Sequence, residues 1–221
     1  MNDYNWIDGQ ELGGPFLDGC GPTANMTEIL VIALAFFCGS LPLSVWLGRV
    51  ALGKDITQYG DGNPGAANVW RAGGGRWGML AVLLDFLKGA IPVGLANFVL
   101  GLEGWQLAAV AIAPILGHAF SPFMGFHGGK ALAVTFGIWT GLSLFVVPII
   151  LGLFFAFYLF LLKPEGWAVM AGIASLLIAL LIFFQDPVWL ATWAGMTLIL
   201  AWKHRTDLRQ KPHLRSLGRA G

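Results

Sequence analysis

Between two long apolar runs the chain carries the polar stretch Gly60-Asp61-Gly62-Asn63-Pro64-Gly65-Ala66-Ala67-Asn68-Val69-Trp70-Arg71. A loop this rich in glycine can turn several backbone N–H groups toward one point and so form a nest for an anion. If a helix begins near Asn68, its free N–H groups and its dipole add to the same attraction. The alternative is a tight turn that returns the chain to a membrane, and a glycine loop by itself does not decide between the two.

The composition places the apolar runs around this loop in a membrane. The chain has 221 residues, of which 57% are hydrophobic and 11% are charged. A soluble protein of this size needs far more charge to cover its surface. The apolar residues arrive in blocks close to the length that spans a bilayer, roughly 17–25 residues. The sequence therefore predicts an all-α integral membrane protein, with membrane lipid around it and no nucleic acid as a partner.

About seven transmembrane helices are predicted. They cover residues 29–50, 77–100, 105–120, 131–142, 143–162, 167–184 and 189–202. The fourth segment is short, so it crosses the membrane briefly or re-enters it, and the count falls to six if it does not cross. We expect three regions: a polar extracytoplasmic tail at 1–28, a membrane domain at 29–203 and a basic cytoplasmic tail at 204–221.

The positions of the basic residues orient these segments. With seven spans, every Lys and Arg except Lys88 falls on one side of the membrane. Basic residues are enriched on the cytoplasmic side, so we expect the C-terminus and the glycine loop to face the cytoplasm and the N-terminus to lie outside. No basic region precedes the first apolar run, so we expect no cleavable signal peptide.

This topology brings three polar segments to the cytoplasmic face: residues 60–71, 118–130 and 203–207. Irregular backbone at membrane depth survives only where it lines a polar cavity. Lys130, Arg71, Arg205 and the loop amides together suit a substrate with a phosphate at one end and an apolar tail at the other. The alternative is that basic residues anchor the helices on anionic lipid, which we expect for residues 209–219.

Two charges lie inside the second segment. Asp85 and Lys88 are three residues apart, which places them on one face of a helix. A lone charge near the bilayer centre costs about 2.5–3.5 kcal/mol, and pairing offsets much of that cost. We expect this pair to be structural rather than catalytic. His118 and His127 are expected to be hydrogen-bonded loop histidines, and the spacing of the histidines and acidic residues gives metal ligation little support.

A series of motifs along the chain resembles one known family. The motifs are Gly39-Ser40-Leu41-Pro42, the stretch 60–71, Leu84-Asp85-Phe86-Leu87-Lys88-Gly89, Gly117-His118, Phe126-His127-Gly128-Gly129-Lys130 and Trp202-Lys203-His204-Arg205. In order and spacing, from about residue 29 to 215, they resemble the bacterial acyl-phosphate:glycerol-3-phosphate acyltransferases (the PlsY family).

The resemblance implies a seven-span fold in the bacterial inner membrane, with an active site that faces the cytoplasm and uses no metal or other cofactor. Members of the family move a fatty acyl group from acyl phosphate to glycerol 3-phosphate, the first step of phospholipid synthesis. The products are lysophosphatidic acid and phosphate. The family also implies a peripheral partner enzyme that makes acyl phosphate from acyl carrier protein.

The resemblance further assigns the site. In the family the glycine loop cradles phosphate, and residues matching Arg71, Lys130 and His204 act around it. We therefore expect Lys130 and His204 to be catalytic. The expected substrate-binding or phosphate-binding residues are Gly60, Gly62, Asn63, Gly65, Asn68, Arg71, Gly128, Gly129, Arg205, Asp207, Ser40 and His118. Because acyl phosphate is already activated, positioning and stabilisation of developing charge could carry the reaction.

This chain departs from the family pattern within the site itself. The family usually has serine at Asp61, threonine at Ala67, asparagine at Asp207, glycine at Ala131, threonine at Val134 and a basic residue at His127. An ionised aspartate about 4 Å from one phosphate charge is repelled by roughly 4 kcal/mol at an effective dielectric near 20. Asp61 therefore turns away, or is protonated, or faces a ligand that is not a phosphate, in which case it is a candidate catalytic base.

Two other functions stay open at this stage. A divergent relative could acylate another acceptor or only bind lipid or phosphate, as the change at Asp61 suggests. A small transporter also fits the composition, but the crowding of polar segments on one membrane face argues against a path through the protein.

Overall fold

Helices form nearly all of the regular structure. The computed structural model describes residues 6–7, 10–11 and 25–215. The α-helices are α1 Met26–Ser40, α2 Leu43–Leu52, α3 Ala66–Gly73, α4 Gly75–Gly94, α5 Gly104–Ala119, α6 Leu132–Ser143, α7 Val146–Leu161, α8 Glu165–Phe183, α9 Pro187–Lys203 and α10 Arg205–Leu208. Short 3-10 turns cover Ile56–Gln58 and Pro122–Met124, and a π-helical turn at Leu95–Val99 extends α4.

Two short antiparallel ribbons complete the structure. Strands β1 (Trp6–Ile7) and β2 (Gln10–Glu11) pair with each other. Strands β3 (Leu162–Lys163) and β4 (His213–Leu214) also pair, which ties the end of the described chain to the connection between α7 and α8. The second ribbon joins segments about fifty residues apart and lies beside the candidate site.

The apolar segments predicted from the sequence are helices, which confirms the all-α membrane class. Among the residues that the structure describes, four stretches are long and apolar enough to cross a membrane: Met26–Leu52, Gly75–Val99, Gly104–Met124 and Glu165–Phe183. The helices α6 and α7 are shorter apolar helices, as expected for the fourth segment. The total of seven spans and the orientation of the termini stay predictions.

Local sequence explains where these helices break and begin. The first apolar segment is divided into α1 and α2 at Pro42, because proline has no N–H to continue the helical hydrogen bonds. Helix α9 begins where the Asp186 carboxylate accepts hydrogen bonds from the N–H groups of Val188 and Trp189, at 2.7 and 3.1 Å. Pro187 then occupies the first helical position, where a missing N–H does no harm.

Large apolar side chains cover the outer surface as well as the core. Trp139, Ile173 and Leu200 are fully buried, whereas Phe157 and Leu198 are more than half exposed. An exposed apolar surface on this scale is unusual in soluble proteins and is typical of helices that face lipid.

The structure bears differently on the two terminal tails that the sequence predicts. Most of the N-terminal tail at 1–28 lies outside the described residues. The described part of the C-terminal segment, residues 204–215, is not a free tail, because it folds back onto the helices. The backbone N–H of Arg215 donates to the carbonyl of Leu161 at 2.8 Å, and the Trp167 indole donates to the carbonyl of Gln210 at 2.9 Å.

Glycines set the separation between α4 and α6. A Cβ added to Gly137 on α6 would collide with the Phe86 carbonyl oxygen on α4, and one added to Gly89 on α4 would press on the Val134 carbonyl. In membranes, helices associate through small residues that let the backbones approach closely. This close approach fixes α6, and with it the loop that precedes α6, against the helix that carries Asp85.

The glycine contact can be tested by adding one methyl group. Gly137→Ala should destabilise the protein by about 1–3 kcal/mol, because backbone atoms of α4 cannot move aside as a side chain would. The matched control is Gly152→Ala on α7, where the nearest neighbour of a Cβ is the Phe136 ring at 3.7 Å. Thermal unfolding in detergent should show a lower midpoint for the first variant alone; equal midpoints would contradict the packing argument.

Candidate active site

One cavity of about 880 Å³ lies where the three polar segments meet. The glycine loop contributes Asp61, Asn63, Gly65 and Arg71, the loop before α6 contributes Lys130, and the end of the chain contributes His204, Asp207 and Arg215. The predicted meeting of distant polar segments is therefore present in the structure. The cavity also has an apolar wall formed by Val82, Leu132, Ala133, Leu159 and Val169.

Backbone conformation explains the glycines of the loop. Gly60 and Gly62 have φ values of 59° and 72°, a region that favours glycine. A Cβ on Gly60 would also collide with the side chains of Asn68 and Arg71. Neither glycine lines the cavity. Gly60 and Gly62 shape the loop and leave contact with a ligand to their neighbours.

The backbone N–H groups of the glycine loop do not converge on an anion site as expected. The N–H groups of Gly62, Asn63 and Gly65 donate within the loop, to the Tyr59 carbonyl, the Asp61 carboxylate and the Asn63 carbonyl. Helix α3 begins at Ala66, close to the predicted position, and Ala66 and Ala67 line the cavity. The first N–H groups of a helix have no carbonyl acceptor within it. The amides suited to an anion are therefore those of Ala66 and Ala67 rather than those of residues 60–65.

Asn68 holds the glycine loop in place through its side-chain hydrogen bonds. Its side chain is buried, and its amide nitrogen donates to Asp61 Oδ1 at 3.0 Å and to the Asn63 carbonyl at 2.9 Å. Its amide oxygen accepts a hydrogen bond of 2.7 Å from Arg71 Nη1. Asn68 does not line the cavity. It fixes the positions of Asp61 and Arg71, both of which do.

Asp61 and Lys130 form an ion pair inside the cavity. Asp61 Oδ2 lies 3.0 Å from Lys130 Nζ, and the two side chains are 43% and 33% exposed. Burial alone raises the pKa of Asp61, but hydrogen bonds from Lys130 and from the Asn63 and Asn68 donors outweigh it and hold the pKa below its usual value. Asp61 is therefore ionised and turned into the site. The three possibilities raised by the sequence concern Asp61 beside a bound phosphate, and they stay predictions.

His204 offers an acceptor to the cavity. The ring is buried, and Nδ1 lies 2.9 Å from the Leu200 carbonyl, so Nδ1 carries the proton and Nε2 has a free lone pair. Burial lowers the pKa of His204 below its usual value; the hydrogen bond to Leu200 raises it and the charge of Lys130 lowers it, both by less. The imidazole is therefore neutral at pH 7 and able to accept a proton.

Asp207 lines the cavity but also has a structural partner. Its Oδ2 accepts a hydrogen bond of 3.0 Å from the backbone N–H of Gly166, in the first turn of α8. A carboxylate at a helix N-terminus satisfies an unpaired N–H and interacts favourably with the helix dipole. This contact gives a structural reason for an aspartate where the family usually has asparagine.

Four predicted binding residues pack outside this cavity. Arg205 stacks on Trp202, 4.7 Å from the ring centre, and donates to the carbonyl of the same residue, so it lies outside the cavity. Gly128 and Gly129 pack against the backbone and ring of His118, where a Cβ on either would collide. They position Lys130 rather than line the cavity. Ser40 is buried, and its hydroxyl donates to the carbonyl of Phe36 at 2.8 Å.

A buried polar cluster forms the floor of the site. Asp85 accepts a hydrogen bond of 2.8 Å from Ser44 Oγ and lies 2.9 Å from Lys88 Nζ, which also donates to the Leu41 carbonyl. His118 Nδ1 lies 3.9 Å from the same carboxylate. The expected pairing of Asp85 with Lys88 is confirmed. Asp85 and His118 both line the cavity, so this cluster supports the site as well as the helices.

Sequence reasoning missed one wall of the cavity. Arg215, Lys163 and Glu165 line it, and Lys163 Nζ pairs with Glu165 at 3.1 Å. The β3–β4 ribbon brings Arg215 to this wall. Two-residue strands leave no recognisable sequence pattern, so only the basic character of the segment was visible, and that was assigned to lipid anchoring. Within residues 25–215 no cluster of His, Cys, Asp and Glu side chains is arranged to hold a metal ion.

Comparisons with known proteins agree with this architecture. The sequence profile of the family described as Glycerol-3-phosphate acyltransferase matches residues 29–211. The chain belongs to this family. A glycerol-3-phosphate acyltransferase 1 of Thermotoga maritima is 35% identical over 199 residues, which are 84% of this chain and 98% of the relative. A glycerol-3-phosphate acyltransferase of Rubrobacter xylanophilus is 37% identical over 187 residues, 83% of this chain and 91% of the relative.

Solved structures of the family show the same fold. The glycerol 3-phosphate form of PlsY, an integral membrane glycerol 3-phosphate acyltransferase, matches with a TM-score of 0.75 and 28% identity, over 83% of this chain and 90% of that one. A lysophosphatidic acid form of PlsY matches with a TM-score of 0.74. The helices that carry the cavity residues are therefore part of a fold that is known to hold both ligands in a relative.

Proposed function

We propose that this protein transfers a fatty acyl group from acyl phosphate to the first hydroxyl of glycerol 3-phosphate, giving lysophosphatidic acid and phosphate. Family membership supports this reaction, as do the relatives named glycerol-3-phosphate acyltransferase. The observation that carries the proposal is a cavity lined by charged side chains, Arg71 and Lys130 among them, and by a group of apolar residues. An amphiphilic substrate with a phosphate head needs both surfaces.

The phosphate end of the substrates is assigned to one corner of the cavity. Arg71 and Lys130 line the same cavity as Ala66 and Ala67, whose N–H groups at the start of α3 favour an anion together with the helix dipole. Charge-assisted hydrogen bonds of this kind are roughly twice as strong as neutral ones. The acyl chain is assigned to the apolar wall, which includes Val82 on α4 and Leu159 on α7.

The remaining residues support a simple acyl transfer. The acceptor hydroxyl oxygen attacks the acyl carbon, the bond from that carbon to the phosphate oxygen breaks, and phosphate leaves with the electron pair. In this scheme His204 Nε2 accepts the hydroxyl proton, which is supported by the contact of Nδ1 with the Leu200 carbonyl. Lys130 stabilises the negative charge that develops on the leaving phosphate. The mixed anhydride is already activated, so the reaction requires no cofactor. A peripheral enzyme that acylates phosphate from acyl carrier protein would supply the donor.

We also propose seven membrane spans in the bacterial inner membrane, with the N-terminus outside and the cavity and C-terminus on the cytoplasmic side. The asymmetric basic residues support this orientation. The cavity lies at one end of the helices, where Lys130, Lys163 and Arg215 gather. The acyltransferase domain is then residues 29–203, completed by the segment 204–215 that folds back onto it.

Cysteine labelling tests the orientation. In a variant whose native cysteines are replaced by alanine, Gln58→Cys places a thiol in the glycine-loop segment and Glu103→Cys places one at the opposite end of the helices. A membrane-impermeant maleimide should label the Glu103 variant in intact bacterial spheroplasts. It should label the Gln58 variant only after the membrane is opened, and the reverse pattern would contradict the proposed topology.

The enzymatic proposal is tested with purified protein, acyl phosphate and radiolabelled glycerol 3-phosphate. Wild-type protein should form lysophosphatidic acid. Lys130→Ala should lower kcat by at least about a hundredfold, because one lost donor to a developing oxyanion costs that much in other enzymes. Arg49→Ala removes a cation from the exposed face of α2, away from the cavity, and serves as the matched control.

A second candidate function is acylation of an acceptor other than glycerol 3-phosphate, and the Asp61–Lys130 ion pair favours it. The same assay decides between them. Product from an acceptor without a phosphate, with none from glycerol 3-phosphate at any concentration, would replace the first proposal with the second. Absence of product from every acceptor would remove the enzymatic proposal.

A further inference from the structure

We infer that Asp61 is a specificity-determining residue: its carboxylate pairs with Lys130 in the cavity, and a phosphate-bearing ligand binds to Lys130 only by displacing it. The inference rests on the proposed function, because the displacing ligand is a phosphate-bearing substrate or product of that reaction. The inference goes beyond the proposed function because it assigns a role to Asp61, a position at which this chain departs from its family.

The Asp61 carboxylate is held as a bound anion would be. Oδ1 accepts hydrogen bonds from the Asn63 backbone N–H at 3.2 Å and from the Asn68 side chain at 3.0 Å. Oδ2 lies 3.0 Å from Lys130 Nζ. Asn68 is itself buried and is fixed by Arg71 at 2.7 Å. The carboxylate therefore links the glycine loop to the lysine that a phosphate ligand would use.

The cavity as a whole is balanced in charge. Its cationic side chains are Arg71, Lys130, Lys163 and Arg215, and its carboxylates are Asp61, Asp85, Glu165 and Asp207. Lys130 and Lys163 each have a carboxylate within about 3 Å. A phosphate that approaches Lys130 therefore meets Asp61 at the same nitrogen, and two anions at one ammonium repel each other.

Movement of Asp61 removes this conflict. Its side chain is 43% exposed, so rotation toward solvent meets little obstruction. An ion pair this exposed is weak, which makes its exchange for another anion inexpensive. Replacing the Asp61 carboxylate at Lys130 adds little to the binding free energy of inorganic phosphate, because inorganic phosphate offers Lys130 only another negative charge. A phosphate attached to an acyl chain also buries apolar surface on the wall at Val82 and Leu159, and that burial favours binding.

Two consequences follow for the reaction. Asp61 lowers the affinity of the cavity for inorganic phosphate, so it favours release of this product after transfer. A role for Asp61 as general base is disfavoured, because its ion pair and hydrogen bonds stabilise the charged form and make it a weak base.

Direct binding measurements test the inference without requiring turnover. Inorganic phosphate is titrated calorimetrically into wild-type, Asp61→Asn and Asp61→Ser protein in lipid nanodiscs at constant ionic strength. Both variants should bind phosphate about tenfold more tightly, since the competing charge is gone while an acceptor oxygen remains for Asn68. Parallel titrations with glycerol 3-phosphate and with a non-reactive alkylphosphonate show which substrate's phosphate displaces Asp61.

The matched control is Glu165→Gln, which removes the other lysine-paired carboxylate of the cavity and changes its net charge equally. This control should change phosphate affinity much less than Asp61→Asn. An equal gain would mean that overall charge, not displacement at Lys130, sets the affinity, and it would overturn the inference. Unchanged affinity in both Asp61 variants, with native thermal stability, would also overturn it.

Steady-state kinetics separate this role from catalysis. Asp61→Asn should lower the inhibition constant of phosphate, because the carboxylate that competes for Lys130 is gone. A hundredfold loss of kcat with unchanged phosphate inhibition would make Asp61 a catalytic group and overturn the inference. If no variant turns over but the Asp61 variants bind phosphate more tightly, the proposed function fails and the inference stands.

Discussion

A charged group at the depth of a membrane is stable only where the protein itself supplies its partner. This constraint organises the polar part of the molecule. Asp85 and Lys88 pair inside α4, with Ser44 and the Leu41 carbonyl completing their hydrogen bonds. The cavity lies directly above this buried cluster, so the floor of the site is fixed by the same interactions that allow α4 to carry charge.

Close contact between backbones is the second interaction that fixes the positions of the cavity residues. Glycines at the α4–α6 interface bring the loop that carries Lys130 toward the glycine loop, and the Gly128–Gly129 pair packs that loop against His118. Backbone hydrogen bonds from Gly128 and Gly129 to the Ala119 and His118 carbonyls hold it there. Lys130 reaches Asp61 because rigid elements, rather than flexible tails, carry both residues.

The sequence predicted the helices and the meeting of three polar segments because both follow from local rules. Apolar runs of spanning length predict helices, and the one-sided distribution of Lys and Arg groups the loops. The predicted Arg71, Lys130 and His204 line the cavity, but the predicted Arg205 does not, and Arg215 was not predicted. Arg205 stacks on Trp202, which depends on the rotamer that the arginine adopts. Arg215 reaches the cavity through the β3–β4 ribbon, which depends on a contact between residues far apart in the chain. The loop amides were misassigned for a related reason, since Asp61 and nearby carbonyls accept their hydrogen bonds within the loop.

The departures from the family become easier to understand in this setting. Asp207 accepts a hydrogen bond at the start of α8, and Asp61 pairs with Lys130, so both added charges have partners. The central claim is that Lys130, Arg71 and the start of α3 bind the phosphate head of a lipid-like substrate. A structure of the protein with a non-reactive alkylphosphonate tests it most directly. The account predicts phosphonate oxygens within hydrogen-bonding distance of Lys130 Nζ and the Ala66 and Ala67 N–H groups, with the alkyl chain against Val82 and Leu159. A phosphonate bound outside this cavity, with the Asp61–Lys130 pair still closed, would contradict it.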